Sequence, residues 1–416
     1  MTRHWRCSWR LVWAAIPLFT CQLVGRAEIQ LVGVATQPGT ETDLSALQGK
    51  ATDGTPLNRL GGHGSAIAYT GRGNEYLLLS DRGPKDGAVD FPCRIHRVEI
   101  RVTANERQLV QLRLLETVLL TDEGGRRLTG ALEAIESDRP EKNRRYDPEG
   151  LRVGPDGTVY VAEEYGPLVD AFDTKGRRLR CLPVPEAFRP SRLSRNVAEE
   201  LPPHNHRGRQ PNRGFEGLAI TPDGQKLYAI TQGPLLQDAA LDAAGKRIGR
   251  NCRILEIDLK NGHNRQFVYP LDDPRHGVSE IVAINDQEFL VLERDGQAGT
   301  ASRCKKIFHI DLSQASDVSN AEQLPAGELP PNIRPVRKKL FLDLLDPRFG
   351  IAGEGCPEKF EGLAFGPDLP DGRHLLLVTV DNDFLPNQPF RVYAFAIDRK
   401  DLPGYQPQKF IPPPEK

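Results

Sequence analysis

The sequence predicts an all-β fold built from one antiparallel module used several times, and three observations carry that prediction. Glu-Gly-Leu occurs at 149–151, 216–218 and 361–363, each time opening a short apolar run, a turn and a second apolar run that ends in polar or acidic residues. The turns repeat too: Pro155-Asp156-Gly157, Pro222-Asp223-Gly224 and Gly366-Pro367-Asp368 use residues suited to tight reversals. A third run, at 94–100, 253–259 and 306–312, alternates apolar and polar residues with the period of a half-buried strand. Further copies lie at 391–398 and, more weakly, at 168–172.

Two fainter versions of the opening motif, Gly64-Ser65-Ala66-Ile67 and Ser279-Glu280-Ile281-Val282, complete a set of five. Taking 65, 149, 216, 280 and 361 as equivalent gives spacings of 84, 67, 64 and 81 residues, the long period of a structural array. Within a module, 150–153 reads as strand one and 158–162 as strand two, rich in β-branched and aromatic residues. The same pair recurs with 226–230 and 374–380 as second strands. Fourth strands are expected at 109–120, 178–184, 266–269 and 339–342. Four-stranded sheets at this period define a β-propeller, whose radial packing leaves only short, protected edges. A sandwich gives no reason for five motifs with equivalent ends. Five blades are counted, and a sixth is open only if 28–60 pairs with 403–411. Helix is scarce, with 128–137 the best candidate, and the Pro-rich stretches 183–212 and 324–337 read as excursions between blades.

The N-terminus has a different character. Arg3, Arg6 and Arg10 precede an apolar run from Leu11 to Val24, and Gly25-Arg26-Ala27 ends it with small residues, the layout of a cleaved signal peptide. Residues 1–27 are therefore expected to be removed, leaving 28–416 as one domain, secreted or periplasmic and monomeric. No later stretch supplies the ~20 apolar residues of a membrane span. Loss of four arginines takes the net charge from −1 to −5, which argues against nucleic-acid binding. Five cysteines remain, Cys93, Cys181, Cys252, Cys304 and Cys356, without the spacing of a zinc site. Cys304 and Cys356, both placed near the same end of neighbouring modules, are the expected disulfide pair.

A hairpin returns its second strand to the side where its first began, so the acids at both ends share a rim. Glu149 is thereby expected beside Glu163 and Glu164, Glu280 beside Glu293, Arg294 and Asp295, and Glu361 beside Asp381, Asn382 and Asp383. Asp81 and Arg82 come from the first module, Glu216 and Gln232 from the third. Crowded carboxylates at a channel mouth point to an all-oxygen cation site, for which Ca²⁺ is the natural ion. The expected metal set is Asp81, Glu149, Glu163, Glu164, Glu216, Glu280, Glu293, Glu361, Asp381 and Asp383. The expected catalytic set is Glu149, Glu164, Glu216 and Glu361 with Arg82, Arg213 and Arg294. The plainer alternative is that these acids accept backbone N–H groups or pair with Arg. His204-Asn205-His206 sits in an Arg-rich loop that reads as solvated, and His63 as structural. The absence of a Gly-x-Ser-x-Gly elbow leaves a serine hydrolase unsupported.

Six segments together resemble the esterase-like phytase family of exported proteins. They are Leu79-Ser80-Asp81-Arg82-Gly83, Tyr146-Asp147-Pro148-Glu149-Gly150-Leu151, Glu163-Glu164-Tyr165-Gly166-Pro167, Asn212-Arg213-Gly214-Phe215-Glu216-Gly217-Leu218, Glu293-Arg294-Asp295 and Asp381-Asn382-Asp383-Phe384. The resemblance implies that the recurring Glu and Asp carry a phosphoesterase-like activity on a small anionic, phosphorylated substrate. The chain departs from the pattern at Glu163, where Asp is commoner. Hydrolysis of another ester or a lactone, and a non-catalytic propeller whose rim binds a protein or glycan, are the competing expectations.

Overall fold

The computed structural model describes Met1 and residues 29–103 and 110–411, and the expected signal segment therefore falls outside the described residues. Strands dominate because the alternating runs find partners in sequence order. Five four-stranded antiparallel sheets form a five-bladed β-propeller. Blade 1 runs outward through Ala66–Tyr69, Glu75–Leu79, Arg94–Val102 and Val110–Leu119, and blade 2 through Pro148–Val153, Val159–Glu163, Leu168–Phe172 and Arg178–Cys181. Blade 3 comprises Phe215–Ile220, Lys226–Thr231, Asn251–Asp258 and Asn264–Pro270. Blade 4 comprises Gly277–Ala283, Glu288–Arg294, Lys305–Asp311 and Arg337–Asp343.

Blade 5 takes Phe360–Phe365, His374–Val380 and Phe390–Ile397 from the C-terminal part and its outermost strand, Gln30–Gln37, from the N-terminal part. That strand pairs antiparallel with the third, Gln30 opposite Ala396 and Gln37 opposite Phe390. The ring is thus closed by hydrogen bonds between chain ends, and the possible sixth blade does not form. Apolar clusters fill the gaps between blades, as in Tyr228 against Phe289, whose ring centroids lie 4.6 Å apart. No helix among the described residues is long and apolar enough to cross a membrane.

Residues 403–411 do something else. They strap the face that carries the inner hairpin turns, opposite the acidic rim. Gln406 N–H donates to Ile284 O, Lys409 N–H to Pro222 O and Ile411 N–H to Pro155 O, each at 2.8 Å. Tyr405 packs on Phe365 at 4.3 Å and Phe410 meets Tyr69 at 5.8 Å, so all five blades are touched. Deleting residues 403–416 is expected to cost about 2–4 kcal/mol, from two half-buried aromatics and a handful of hydrogen bonds. Urea unfolding measures it; an unchanged midpoint would show the strap to be ornamental.

Two further expectations are corrected. The helix at 128–137 shrinks to a single 3₁₀ turn, Leu132–Ala134. Arg127 and Thr129 are taken by bridges to Thr121, Pro92 and Arg145, which hold the backbone extended where the helix would begin. The Cys304–Cys356 disulfide is absent: both are free thiols. Cys304 Sγ faces Glu293 O at 3.7 Å and Cys356 Sγ its own neighbour Pro357 O at 3.6 Å, so each thiol already has an acceptor.

Candidate functional site

Bulges in the inner hairpins place the site. In blade 2, Pro148 pairs with Glu163 and Gly150 with Ala162, so Glu149 is the extra residue. In blade 3 the same step between Phe215 and Gly217 leaves Glu216 extra, and blade 5 slips between Phe360 and Leu363, around Glu361. A bulge turns its unpaired residue out of the regular alternation, and here it delivers three glutamates to one mouth of the ring. The glycine that follows lets inner strands approach closely: a Cβ on Gly217 would lie 2.7 Å from Glu280 Cα, and one on Gly150 2.8 Å from Leu218 N.

Blade 4 departs from the expected register. Val278 pairs with Glu293 and Glu280 with Leu292, so the extra residue is Ser279, and Glu280 occupies the glycine position. A one-residue slip reverses the side on which a side chain emerges. Glu280 is accordingly not a rim residue: it lies fully buried in the channel, accepting from Leu218 N–H and Ile281 N–H at 3.0 Å and pairing with Arg152 at 3.3 Å. Glu163 also leaves the rim, accepting from Asp147, Tyr165 and Gly166 N–H at 2.7–3.1 Å. Glu293 sits between blades 3 and 4, satisfied by Tyr269 Oη, Asp272 N–H, His276 Nδ1 and Lys338 Nζ at 2.6–3.0 Å.

The remaining expected residues do converge. A cleft of about 230 Å³ at the mouth is lined by Asp81, Arg82, Glu149, Glu164, Arg213, Glu216, Arg294 and Glu361. Asp381 and Asp383 stand just behind Asp81, where one oxygen from each of the three lies within 4.8 Å of the others. Arg82 donates to Asp147 and Asn212 and reaches Glu164 Oε2 at 3.4 Å. Arg294 bridges Ser279 Oγ at 2.9 Å and Glu361 Oε1 at 2.7 Å. Gln232 Nε2 holds one oxygen of Glu216 at 2.6 Å, while the other is buried without a partner. Among the described residues no hydrogen-bond donor reaches the Glu149 carboxylate, although its surroundings leave it only 9 % exposed. Asp147, Glu149 and Glu164 form a second group with oxygens within 4.8 Å of one another.

Residues 58–384 match the phytase-like family, described as carrying the esterase-like activity of phytase. This chain belongs to the phytase-like family. An uncharacterized secreted protein of Arthroderma benhamiae is 26% identical over 85% of this chain and 86% of its own length. Among solved structures, a luciferin-regenerating enzyme covers 91% of this chain and 99% of its own at 11% identity and a TM-score of 0.36, too distant to weigh.

The electrostatics of this phytase-like rim follow from crowding. Burial first, then Glu361, pushes Glu216 up to about 8, and burial with Glu361 pushes Asp381 up to about 7. Glu149 is raised well above the carboxylate range by burial and by Asp147, Glu216, Glu361 and Asp81, in that order. Glu164 and Asp81 are raised by burial and then by Glu216 and Asp381 respectively. Burial works against the charge on Arg82, but Asp147 and Glu164 outweigh it. Off the rim, burial lifts Glu163 to about 8, whereas His276 and Lys338 overcome burial at Glu293 and hold it low.

Four participants were not picked out from sequence. Asp147 precedes the strand it serves, Asn212 reaches Arg82 from a left-handed turn at φ 56°, and Lys359 pairs with Asp383. Ser279 takes the glutamate's place in blade 4. Three of them carried a usable signal: Asp147 and Asn212 lie inside the segments that resemble the family, and Ser279 immediately precedes the misaligned Glu280.

Proposed function

We propose that the rim cleft hydrolyses phosphate esters with a divalent cation, and that the chain is exported with residues 1–27 removed. The observation that carries this is the buried, unpartnered oxygen of Glu216 and the Glu149 carboxylate, which no described donor reaches, brought by different blades into one cleft beside Arg82 and Arg294. A buried carboxylate without a donor is costly, and a proton or a cation relieves it. The donors are all oxygen, which suits Ca²⁺. Asp147, Glu149 and Glu164 would hold the ion, with Glu216 and Glu361 next to them. Such an ion, when bound, acidifies water and withdraws charge from phosphoryl oxygens.

The chain's own groups supply the rest. Glu216, raised to about 8, is mostly protonated at neutral pH and becomes a general base for water as the pH approaches 8 or as a bound cation lowers that value. Gln232 fixes its orientation. Arg82 and Arg294 are held by carboxylates and so remain charged and positioned where negative charge would develop. The secreted relative is in keeping with export.

The test is activity on phosphomonoesters, phosphodiesters, carboxyl esters and lactones, with and without chelator. Phosphate-ester hydrolysis lost on chelation is expected, together with a melting temperature that rises with Ca²⁺, by about 2.7 kcal/mol of stabilisation at a hundredfold excess over Kd. No hydrolysis of any ester, with a melting temperature indifferent to Ca²⁺, would leave a rim organised by Arg and backbone contacts that binds a protein or glycan.

A further inference from the structure

We propose that Arg213 is the receptor for the substrate's anionic group and makes the cleft selective for phosphorylated over neutral compounds. This deepens the hydrolase reading and rests on it for the word substrate. The site itself stands on how the cations around the cleft are spent. Arg82 is tied to Asp147, Asn212 and Asp86, Arg294 to Glu361, Lys359 to Asp383 and Arg275 to Asp273. Arg213 lines the same cleft half-buried, and among the described residues its guanidinium makes no ion pair and no hydrogen bond.

An arginine beside so many acids would fold onto one of them unless its path were fixed, and here the backbone fixes it. Arg213 N–H donates to Gln210 O at 3.0 Å, closing a turn in which Asn212 is left-handed. That turn sends Asn212 toward Arg82 and lays Arg213 along Gly233. A Cβ on Gly233 would lie 3.1 Å from Arg213 Nη1 and 3.3 Å from its Cδ, so the bare glycine makes room for the guanidinium. Gly233 directly follows Gln232, which holds Glu216. An anion taken up by Arg213 therefore sits at the strand end that also orients the general base. A guanidinium with free donors is suited to bidentate phosphate contacts, which an ammonium cannot reproduce.

Inorganic phosphate titrated calorimetrically into the full chain, once with Ca²⁺ and once with chelator, tests this apart from any turnover. Arg213→Gln is expected to weaken phosphate at least about ten-fold in both conditions, and Arg213→Lys by less. Gly233→Ala keeps every charge but crowds the guanidinium, and should weaken phosphate while leaving the melting temperature near wild type. Phosphate bound as tightly by Arg213→Gln as by wild type, or not bound by wild type in either condition, overturns the proposal. If phosphate binding depends on Arg213 but no ester is turned over, the anion site stands and the hydrolase reading fails.

Discussion

Glu149→Gln is expected to slow phosphate-ester hydrolysis by at least about 100-fold and to abolish the Ca²⁺-dependent rise in melting temperature, with the fold intact. The amide keeps the shape of the side chain and removes its charge. Because Glu149 receives no hydrogen bond from a described residue, the substitution breaks no contact, and without Ca²⁺ the variant should melt no lower than wild type. Relief of repulsion from Asp147, Glu216 and Glu361 acts in the same direction. Glu361→Gln is the informative contrast: it also weakens the 2.7 Å ion pair with Arg294, so stability and activity should fall together. Calorimetry of both variants, with Ca²⁺ and with chelator, separates the two behaviours. Full activity in Glu149→Gln would remove this residue from the chemistry.

The blades were legible because each is written locally. Alternation and a third alternating run recur along the modules, with a Pro/Asp/Gly turn in three of them, and each demands only near neighbours in sequence. The closing strand was not, because Gln30–Gln37 pairs with Phe390–Ile397 across the whole chain and nothing in either segment names the other. Residues 403–411 were similarly ambiguous: their backbone donors bond to three hairpin turns rather than to a ladder, a use that period-two patterning does not encode.

The site was legible where bulge and motif coincide, at Glu149, Glu216 and Glu361. It failed at Glu280, since Ser-Glu-Ile and Glu-Gly-Leu can be aligned with either residue first, and only the pairing of Val278 with Glu293 decides. It failed again at Glu163 and Glu293, because neighbouring positions at a strand end face opposite sides: Glu164 and Arg294 line the cleft, their predecessors do not. Asp147, Asn212 and Lys359 lie in connections whose paths are set by tertiary contacts, so strand periodicity gives none of them a role; the first two are marked only by the segments that resemble the family.

The register that moved Glu280 also exposes the interaction with the largest expected effect on stability. Two successive layers of the inner strands face the channel. Ala66, Gly150, Gly217, Glu280 and Gly362 make one; Ala68, Arg152, Ala219, Val282 and Ala364 make the next. Each layer holds one charged residue, and the two meet. Arg152 also donates to Ile67 O at 3.0 Å, Ile281 O at 2.7 Å and Leu363 O at 3.3 Å, joining blade 2 to blades 1, 4 and 5. Arg152→Met strands Glu280 as an unpaired buried charge and should cost about 3–5 kcal/mol. Adding Glu280→Gln should recover much of that loss, and the cycle of single and double variants measures the coupling. The pH dependence gives a second check. Burial, opposed by Arg152, lifts Glu280 to about 7. A carboxyl whose folded pKa exceeds its unfolded value near 4.3 favours the folded state at low pH, and that contribution is lost as pH rises through about 7. Removing Arg152 raises Glu280 further, so the deficit of Arg152→Met should be small at about pH 5 and large at about pH 8. Glu280→Gln should abolish that pH-dependent part. Urea unfolding at both pH values decides it, and a deficit of equal size at each would mean that Arg152 acts through the carbonyls of the other blades rather than through Glu280.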